Sequence, residues 1–455
     1  MSSEVLTSPL PCPSNWRLVR LKHICTKIGS GATPTGGQAA YQEHRSNYAL
    51  VRSQNVFDRE FSSSGLAFIS DEQASSLRSA KLEPDDILLN ITGDGVTFGR
   101  ACLVPADVLP ACVNQHVSIV RLDRNQADPG YVLSYFTHPL IKGYIESFNA
   151  GGSRRAITKG HIESFVLPLP SLAEQESIAE TLGTFDDRIA LLRETNATLE
   201  AIAQALFKSW FVDFDPVHAR ARGEQPAGLT PEVTALFPDC FEESALGMIP
   251  KGWRVGCIGH LGEVVCGKTP PTSDPDNYGE DVPFITIPDM HGYLAVTSTA
   301  RSLSRKGADS QPKKYLPAGS ICVSCIATPG LVVQVTESSH TNQQINSVIP
   351  HLEWGRSFPL FLLRRIGDKV RAGGSGGSVF HNLSKSSFEK IPELLPTNNL
   401  AQQYCQIVDP LVEKIIDNQR QAQTLATLRD TLLPRLISGQ LRLPDAEQQL
   451  KDLAV

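Results

Sequence analysis

The sequence predicts an α+β protein in which two β-rich domains are each followed by one long helix, and in which the two long helices pack on each other. Three features of the 455 residues predict this fold. The second half of the chain repeats the first half, motif by motif. Two segments carry a long apolar seam with a heptad period. The segment before each seam contains short apolar runs separated by Gly, Pro and Ser.

The internal repeat is collinear along the chain. Its two copies match at an offset that drifts between 226 and 237 residues, as insertions in loops would cause. Several weak matches in the same order are strong evidence of a duplication. The matched segments are NWRLVRLKHI (15–24) and GWRVGCIGHL (252–261), LEPDDILLNI (82–91) and LPAGSICVSC (316–325), VNQHVSIV (113–120) and TNQQINSV (341–348), and NATLEAIAQALFKSWF (196–211) and AQTLATLRDTLLPRLI (422–437).

The first β-rich domain is predicted to span residues 1–170. Its last apolar run, FVLPLP (165–170), contains prolines that cannot continue a sheet or a helix. Ser171 then offers a helix N-cap, and Glu174 three residues later completes a capping box. The first long helix is therefore predicted over 171–212.

Both long helices carry seam residues in alternating steps of four and three. This period of 3.5 residues is typical of a coiled coil. We therefore expect the two seams to pack on each other; the alternative is that each helix is buried separately in its own domain core. The seam positions are Ile178, Leu182, Phe185, Ile189, Leu192, Asn196, Leu199, Ala203, Leu206 and Trp210 in the first helix, and Tyr404, Val408, Leu411, Ile415, Asn418, Ala422, Leu425, Arg429, Leu432 and Leu436 in the second.

The second copy is predicted to contain a β-rich domain over 251–397 and a long helix over 398–439. Pro410 lies inside the predicted helix. A proline in a helix interior lacks the N–H group that the helix needs, so it predicts either a bend or a regular helix that starts near Asp409.

Two further segments are predicted to have little regular structure. The connector at 213–250 is rich in Pro, Gly and acidic residues, which predicts at most one short helix. The tail at 440–455 is polar, and we expect it to be frayed.

The bulk composition excludes several classes of protein. A formal net charge of −6 argues against a strongly basic nucleic-acid binder. Ten scattered cysteines without a framework favour reduced thiols over disulfides. The first residues lack the order of a signal peptide, and no apolar run is long enough for a membrane helix. We therefore expect a cytoplasmic protein that has no contact with a membrane.

Two motif matches are weak when their context is considered. GEVVCGKT (262–269) fits the phosphate-loop pattern, but Pro270 and Pro271 follow where the phosphate-binding helix should begin. A turn is favoured there, and a nucleotide hydrolase is kept as a rival hypothesis. Cys322 and Cys325 form a lone CxxC, for which a buried strand is favoured over a metal site. With no metal site and no catalytic signature, the chain is predicted to be a binding protein.

Polar loops rich in Gly and Ser occur at matched places in the two copies, NAGGSRRAITK (149–159) and KVRAGGSGGSVFHNLSK (369–385). Such loops let backbone amides approach phosphates, and Arg, Asn and Gln can pair with base edges. The polar run VRSQNV (51–56) and the loop NITGDGVTFGR (90–100) of the first copy could serve in the same way, although each of these segments taken alone is more typical of an ordinary surface loop.

Several phrases also resemble a known family. LEAIAQALFKSWFVDFDP (199–216), ALGMIPKGWRV (245–255) and LRDTLLPRLISGQL (428–441) are similar to the specificity subunit of type I restriction-modification systems. The similarity extends from Trp16 to Leu441, although the first domain begins without the Ile-Pro-x-Gly-Trp opening of the second.

The resemblance implies two target-recognition domains that each read one half of a split, asymmetric site on double-stranded DNA. It implies that the long helices form an antiparallel coiled coil with pseudo-two-fold symmetry that spaces the readers. It also implies a non-catalytic chain that docks two modification (methyltransferase) subunits and the restriction (motor-nuclease) subunits. Adenosylmethionine, ATP and Mg are then expected in the partner subunits, with no cofactor bound by this chain.

The candidate site residues follow from the polar loops and the seams. A rival hypothesis remains a coiled-coil scaffold whose β-rich domains bind protein or glycan. The aromatic end of the first helix is expected to be covered by the opposing helix or by a modification subunit. The predicted DNA-facing residues are Arg52, Gln54, Asn55, Thr92, Arg154, Arg155 and Lys159 for one half-site, and Lys268, Thr328, Lys369, Arg371 and Ser375 for the other. The predicted partner and coiled-coil residues are Ile189, Leu199, Leu206, Phe207, Trp210, Phe211, Ile415, Leu425, Leu432 and Leu436.

Overall fold

The computed structural model describes residues 6–93, 96–148, 155–245, 247–326, 328–371 and 383–452. The chain divides into two compact units. Unit 1 comprises Met1–Ala190 and Gln423–Val455, and unit 2 comprises Leu191–Ala422. None of the described helices combines the length and the apolar character that crossing a membrane requires.

The part of unit 1 that precedes the first long helix contains thirteen of the described strands and four short helices. The helices are α1 (Asp71–Ser76), α2 (Pro129–Thr137), α3 (Pro139–Ser147) and α4 (Lys159–Ser164). The strands are β1 (Arg17–Arg20), β2 (Cys25–Ser30), β3 (Tyr48–Val51), β4 (Val56–Phe57), β5 (Glu60–Phe61), β6 (Ala67–Ile69), β7 (Ile87–Asn90), β8 (Thr92–Gly93), β9 (Ala101–Leu103), β10 (Ala111–Val113), β11 (Val117–Leu122), β12 (Arg155–Ala156) and β13 (Val166–Leu169).

Two main sheets form the β-rich part of unit 1. One is antiparallel, with strand order β2-β11-β7-β9, and the other has the order β10-β3-β6 with β10 parallel to β3. Strands β1 and β13 pair antiparallel, which joins the two ends of the domain. Leu50, Leu88 and Ile119 are fully buried in one apolar cluster, so side chains of both sheets share a core.

The first long helix, α5 (Leu172–Phe211), follows directly, and unit 2 then continues with the connector and the second β-rich part. The remaining helices are α6 (Asp215–Ala221), α7 (Pro231–Thr234), α8 (Arg305–Asp309), α9 (Ser357–Arg371), α10 (Lys385–Glu389), α11 (Asn398–Ile437) and α12 (Leu443–Asp452). The remaining strands are β14 (Phe241–Ser244), β15 (Gly247–Pro250), β16 (Arg254–Cys257), β17 (Gly262–Cys266), β18 (Tyr278–Gly279), β19 (Val282–Ile285), β20 (Ala295–Val296), β21 (Ser302–Leu303), β22 (Ile321–Ser324), β23 (Val332–Val335), β24 (His340–Thr341), β25 (Ile345–Pro350) and β26 (Pro392–Leu395).

The sheets of unit 2 repeat those of unit 1. The order β17-β25-β22-β23 matches β2-β11-β7-β9, and unit 2 adds the parallel edge strand β20. Strand β24 runs parallel to β19 as β10 does to β3, and β16 pairs with β26 as β1 does with β13. The predicted duplication is therefore confirmed at the level of strand topology, which is a stronger test than sequence matches alone.

The long helices pack on each other in both units. In unit 1 the early part of α5 meets the late part of α11, where Arg429 Nη1 donates to Asp186 Oδ1 at 2.6 Å. In unit 2 the late part of α5 meets the early part of α11, where Tyr404 Oη donates to the carbonyl of Ala203 at 3.0 Å. The two contacts have opposite order along the two helices, so the predicted antiparallel packing is confirmed.

The predicted partner and coiled-coil residues are buried or half-buried. Leu199 and Leu206 are half-buried, and the others are at least nine-tenths buried: Ile189, Phe207, Trp210, Phe211, Ile415, Leu425, Leu432 and Leu436. The aromatic end of α5 is covered by the opposing helix within unit 2. The rings of Phe207 and Phe211 lie 5.7 and 5.3 Å from that of Tyr404.

Three expectations about secondary structure were wrong. Helix α11 runs through Pro410 without interruption, so the predicted start of the regular helix near Asp409 was wrong, because one missing N–H group costs less than losing the apolar seam on both sides. The connector holds two short helices and the hairpin β14–β15 rather than at most one helix. The tail forms α12, which is anchored because Leu441 and Ala446 are buried.

Candidate nucleic-acid interface

The polar loops of unit 1 are tied together by Asn90 at the end of β7. This side chain is fully buried, and its amide group donates to the carbonyls of Ser53 at 2.9 Å and Thr97 at 3.0 Å. Since a buried amide needs such partners, the two loops are held on either side of it. The predicted loops at 51–56 and 90–100 therefore lie side by side.

The expectation that Asn55 faces DNA was wrong. Asn55 is fully buried, and its Nδ2 donates to the carbonyls of Ser62 at 2.9 Å and Ser64 at 3.2 Å. Its Oδ1 accepts the backbone N–H of Arg52 at 3.0 Å. With both ends of the amide used internally, Asn55 shapes the loop and has nothing left to offer a base edge.

Arg52 and Gln54 share one acceptor on this loop. The guanidinium of Arg52 donates to the carbonyl of Gly65 and lies over the ring of Tyr41, with 5.4 Å to the ring centroid. Gln54 is exposed, and its Nε2 lies 3.3 Å from the same carbonyl. Arg52 is thus largely committed within the protein, whereas the Gln54 side chain faces solvent.

A chain of hydrogen bonds crosses the neighbouring surface of unit 1. Thr33 Oγ1 donates to Gln115 Oε1 at 2.6 Å, and Gln115 Nε2 lies 3.0 Å from His116 Nε2. His116 Nδ1 in turn lies 2.6 Å from Thr92 Oγ1. Strand β8 brings Thr92 opposite Ala156 of β12. The predicted residue Thr92 is therefore part of a continuous polar row.

The remaining candidates of unit 1 lie near this row or outside the described residues. Arg154 is outside them. Arg155 has a described backbone in β12, and its side chain is not described. Lys159 is exposed at the start of α4, and its Nζ lies 3.5 Å from Glu163 Oε1, one helical turn away. An exposed pair of this kind is weak, so Lys159 can exchange Glu163 for another anion.

Unit 2 repeats the first half of the polar row. Thr269 Oγ1 donates to Gln343 Oε1 at 2.7 Å, as Thr33 does to Gln115. Lys268 is exposed beside Thr269, and its backbone N–H donates to the carbonyl of Thr341 at 2.9 Å. Within the described segment from Lys268 to the short turn at Pro275–Asn277 there is no helix, so the segment lacks the helix N-terminus of a phosphate loop.

The other candidates of unit 2 are less well placed. Thr328 is half-buried, and its carbonyl accepts Ser324 Oγ at 2.6 Å. Lys369 and Arg371 belong to the last turn of α9, and their side chains are not described. Ser375 lies outside the described residues. The structure therefore brings Lys268 to the polar row, and Lys369, Arg371 and Ser375 stay predictions.

The CxxC pair lies in the core. Cys322 and Cys325 are buried in different apolar clusters, as expected for residues three apart on a strand. Burial raises the pKa of Cys322 to about 12 and that of Cys325 to about 11, so both thiols stay protonated. Metal binding needs thiolates. Among the described residues no cluster of three or more His, Cys, Asp or Glu could hold a metal ion.

Five polar residues of this surface were not among the predicted DNA-facing residues: Thr33, Gln115, His116, Thr269 and Gln343. Thr269 was considered only as part of the phosphate-loop pattern, and the motifs of the other four residues served only as landmarks of the repeat. The signal was present: Asn114-Gln115 matches Asn342-Gln343 and both copies carry a Thr-Pro. Polar residues that recur at exposed positions of a duplicated domain are a reasonable marker of a shared surface.

Comparisons with known proteins bear on the family and the fold of the chain. A family model described as the type I restriction modification DNA specificity domain matches residues 13–201 and 250–426. The specificity subunit of type I restriction enzyme HindI from Haemophilus influenzae is 35% identical over 439 residues, which cover 87% of this chain and 94% of that protein. The MjaIX specificity subunit from Methanocaldococcus jannaschii is 26% identical over 333 residues, 69% of each chain.

A solved structure has the same fold. The crystal structure of the S subunit of a type I restriction-modification system from M. genitalium matches 95% of this chain and 99% of its own, with a TM-score of 0.55 at 15% identity. The two family matches fall on the two halves that the strand topology shows to be duplicates. From the duplicated fold, the paired long helices and these matches, the chain belongs to the family of type I restriction-modification specificity subunits.

Proposed function

We propose that this chain is the DNA-reading subunit of a type I restriction-modification complex, and that each β-rich domain reads one half of a bipartite, asymmetric site. The observation that carries the proposal is the polar surface that occurs twice, built from Thr33 and Gln115 in unit 1 and from Thr269 and Gln343 in unit 2. Two similar surfaces on two copies of one domain suit a target that is itself made of two parts.

In this proposal the contacts with each half-site come from the polar residues in and around these surfaces. The candidates in unit 1 are the exposed Gln54 and Lys159 and the half-buried Thr92, and the exposed Lys268 is the best placed in unit 2. Arg154, Arg155, Lys369, Arg371 and Ser375 stay predictions on the same loops. Lysine and arginine contacts to phosphates supply affinity, while amide groups at base edges supply sequence preference.

The long helices set the spacing between the half-sites in this proposal. Helices α5 and α11 each contribute residues to both units. A helix rises by about 1.5 Å per residue, so adding or removing a heptad would change a helix length by roughly 10 Å, or about three base pairs. The spacer of the recognised site should therefore follow the length of these helices.

The chemistry belongs to partner subunits in this proposal. Methyltransferase subunits dock on the chain and carry adenosylmethionine, and motor-nuclease subunits carry ATP and Mg. The formal charge of −6 supports this division, because a chain with net negative charge is repelled by DNA and partner subunits can supply additional contacts to the phosphates. The relatives reported above bear the name of specificity subunits, which agrees with a reader that does no catalysis itself.

The test is co-expression of the chain with the modification subunit from the same source, followed by single-molecule sequencing of methylated bases in the host DNA. We expect methyladenine confined to one split motif. The matched control is the modification subunit without this chain, which should leave no motif.

Two outcomes would contradict the proposal. A stable purified complex that methylates no split motif would favour the scaffold with protein- or glycan-binding domains. A motif that persists without this chain would assign sequence reading to the other subunit.

A further inference from the structure

The two units share an exposed pair of side chains that neither core packing nor the helix seam requires. In unit 1 Thr33 Oγ1 donates to Gln115 Oε1 at 2.6 Å, and in unit 2 Thr269 Oγ1 donates to Gln343 Oε1 at 2.7 Å. Both glutamines are exposed. Each one lies just before the matching strand, β11 or β25. The partners are 82 and 74 residues apart in sequence, so the tertiary fold creates the same contact twice.

The backbone beneath the pair is also similar in the two units. A glycine two residues before each threonine lies against the turn that carries the glutamine. A Cβ atom on Gly31 would lie 1.7 Å from the carbonyl oxygen of Val113, and one on Gly267 would lie 2.1 Å from that of Asn342. Only glycine allows so close an approach. The Gly-x-Thr-Pro segment is thereby fixed next to the glutamine in each copy.

The backbone on the other side of each glutamine is equally alike. The N–H of Ile91 donates to the carbonyl of His116 at 3.0 Å, and the N–H of Cys325 donates to that of Gln344 at 2.9 Å. The Thr–Gln pair therefore sits in the same frame in both units, between the same two neighbouring segments.

The side chains next to the pair differ between the units. His116 bonds to Thr92 in unit 1, whereas the matching residues of unit 2 are Gln344 and Ile326, and Gln344 accepts instead from Asn342 Nδ2 at 3.2 Å. The pair is thus kept while the side chains around it have changed. The Thr–Gln pair therefore suits a function that the two domains share, whereas the side chains next to it suit a function that differs between the domains.

The two halves of an asymmetric site differ in their bases and share their sugar-phosphate backbone. A side-chain pair of the same composition in a similar backbone frame is better suited to the phosphate group that both half-sites share than to bases that differ between them. Resting on the proposed function, we infer that Thr33–Gln115 and Thr269–Gln343 are a duplicated DNA-backbone contact, in which each glutamine Nε2 donates to a phosphate oxygen at the same place in its half-site.

The geometry of the pair suits this task. Each threonine hydroxyl donates to the glutamine Oε1, so the amide nitrogen is the group of the side chain that can donate to a ligand. In unit 1 the Gln115 Nε2 also lies 3.0 Å from His116 Nε2, which occupies one of its two N–H groups and leaves the other for a phosphate oxygen. A donor held in one orientation loses little entropy when it binds an anion. In unit 2 the exposed Lys268 precedes Thr269 and can add a charge contact to the same phosphate backbone.

The test uses the complex of the full chain with its modification subunits and two duplexes. One duplex carries the split motif found by methylation sequencing, and the other has both half-sites scrambled. We expect Gln343→Ala to weaken binding to both duplexes by the same factor, about tenfold, at fixed salt. Gln115→Ala should do the same. Since glutamine is uncharged, the slope of affinity against salt concentration should not change.

Gln343→Glu distinguishes a phosphate contact from a purely structural clamp. The glutamate still accepts the Thr269 hydroxyl, so the fold and the melting temperature should be kept, but its charge repels a phosphate. We expect it to weaken binding to both duplexes more than Gln343→Ala does, with the methylated motif unchanged. The control pair is Gln402→Ala and Gln402→Glu at an exposed position of α11, which should bind as the unmodified complex does.

Each other outcome overturns the inference. Binding by Gln343→Glu at the unmodified level would make the pair a structural clamp. A changed motif, or a loss restricted to the duplex with the motif, would make the glutamine a base reader. If the unmodified complex methylates no motif and prefers neither duplex, the proposed function itself has failed, which is a distinct result.

Discussion

The side-chain amide of Asn418 donates to Asn196 Oδ1 at 2.8 Å inside the seam of the two long helices in unit 2. Asn196 Nδ2 in turn donates to the carbonyl of Ile415 at 3.1 Å, so Asn196 both accepts a hydrogen bond from α11 and donates one to it. Asn418 is almost completely buried. The hydrogen bonds of a buried polar pair in an apolar seam are satisfied in only one register of the two helices, because any shift leaves the amides without partners.

Replacing one member of this pair should cost stability. Asn418→Ala leaves Asn196 Oδ1 without its donor, and we expect a loss of about 1–2 kcal/mol, seen as a lower urea midpoint. The double change Asn196→Leu with Asn418→Leu removes both polar groups and should have a midpoint at or above that of the unmodified chain. A double variant as unstable as Asn418→Ala would show that the polar pair stabilises the seam more than two leucines do.

Asp186 should be a strong determinant of the stability of unit 1. Its carboxylate accepts from Arg59 of the β-rich domain at 2.7 Å and from Arg429 of α11 at 2.6 Å, and the two arginine side chains are only 5% and 15% exposed. Asp186→Asn keeps the shape but leaves two poorly solvated charges. We expect a loss of about 3 kcal/mol in thermal or urea unfolding. Asp187→Ala, at the exposed neighbouring position, should change stability by less than about 0.5 kcal/mol; equal effects would contradict this role.

Trp210 should matter even when no partner subunit is present. Its ring is 1% exposed and lies 5.1 Å from that of Phe237 and 6.1 Å from that of Tyr404. Trp210→Ala should destabilise the isolated chain by about 3–5 kcal/mol, because the cavity cannot be refilled. Ile202→Ala on the same helix, where the side chain is 51% exposed, is the control. Normal melting of Trp210→Ala combined with failed assembly would show that the tryptophan serves a partner instead.

The buried ring of His340 should make unit 2 sensitive to acid. Burial lowers the pKa of His340 from its ordinary value of 6.5 to about 4, with Asp309 acting in the opposite direction. Between these two values the unfolded chain binds a proton that the folded chain excludes, so stability is full above about pH 6.5 and falls as the pH drops toward 4. The melting temperature should therefore decrease across this window by at least a few degrees.

His340→Leu is the matched variant for this effect. Within the described residues neither ring nitrogen of His340 has a hydrogen-bond partner, so leucine removes a titrating group without breaking a bond. At neutral pH we expect the variant to be as stable as the unmodified chain. Its melting temperature should fall less between pH 6.5 and 4, and an identical fall in both proteins would assign the acid sensitivity to other groups.

The long helices could be predicted from the sequence because the patterns that specify them involve residues close together along the chain. The heptad seam placed the long helices at 171–212 and 398–439, and they occur at Leu172–Phe211 and Asn398–Ile437. Proline and capping signals are local and marked the beginning of α5 correctly. Pro410 misled for the same reason, since a local rule cannot weigh the apolar seam that continues on both sides of it.

The candidate surface was only partly open to prediction. The loops at 51–56 and 90–100 were recognised from their polarity, yet Asn55 is buried within one of them because backbone carbonyls from Ser62 and Ser64 surround it. Polarity along a chain does not reveal which way a side chain points, since that depends on acceptors supplied by other segments.

By itself, the sequence determined the duplication, the two β-rich domains, the long helices and their seam, because periodicity is a property of neighbouring residues and a repeat is found by comparing the sequence with itself. Only the tertiary structure decided that Thr33 meets Gln115, that Thr269 meets Gln343, and that one carboxylate on α5 serves two arginines. These contacts join residues more than 70 positions apart. Their formation depends on how the sheets and helices pack, and packing follows from the burial of the whole apolar surface.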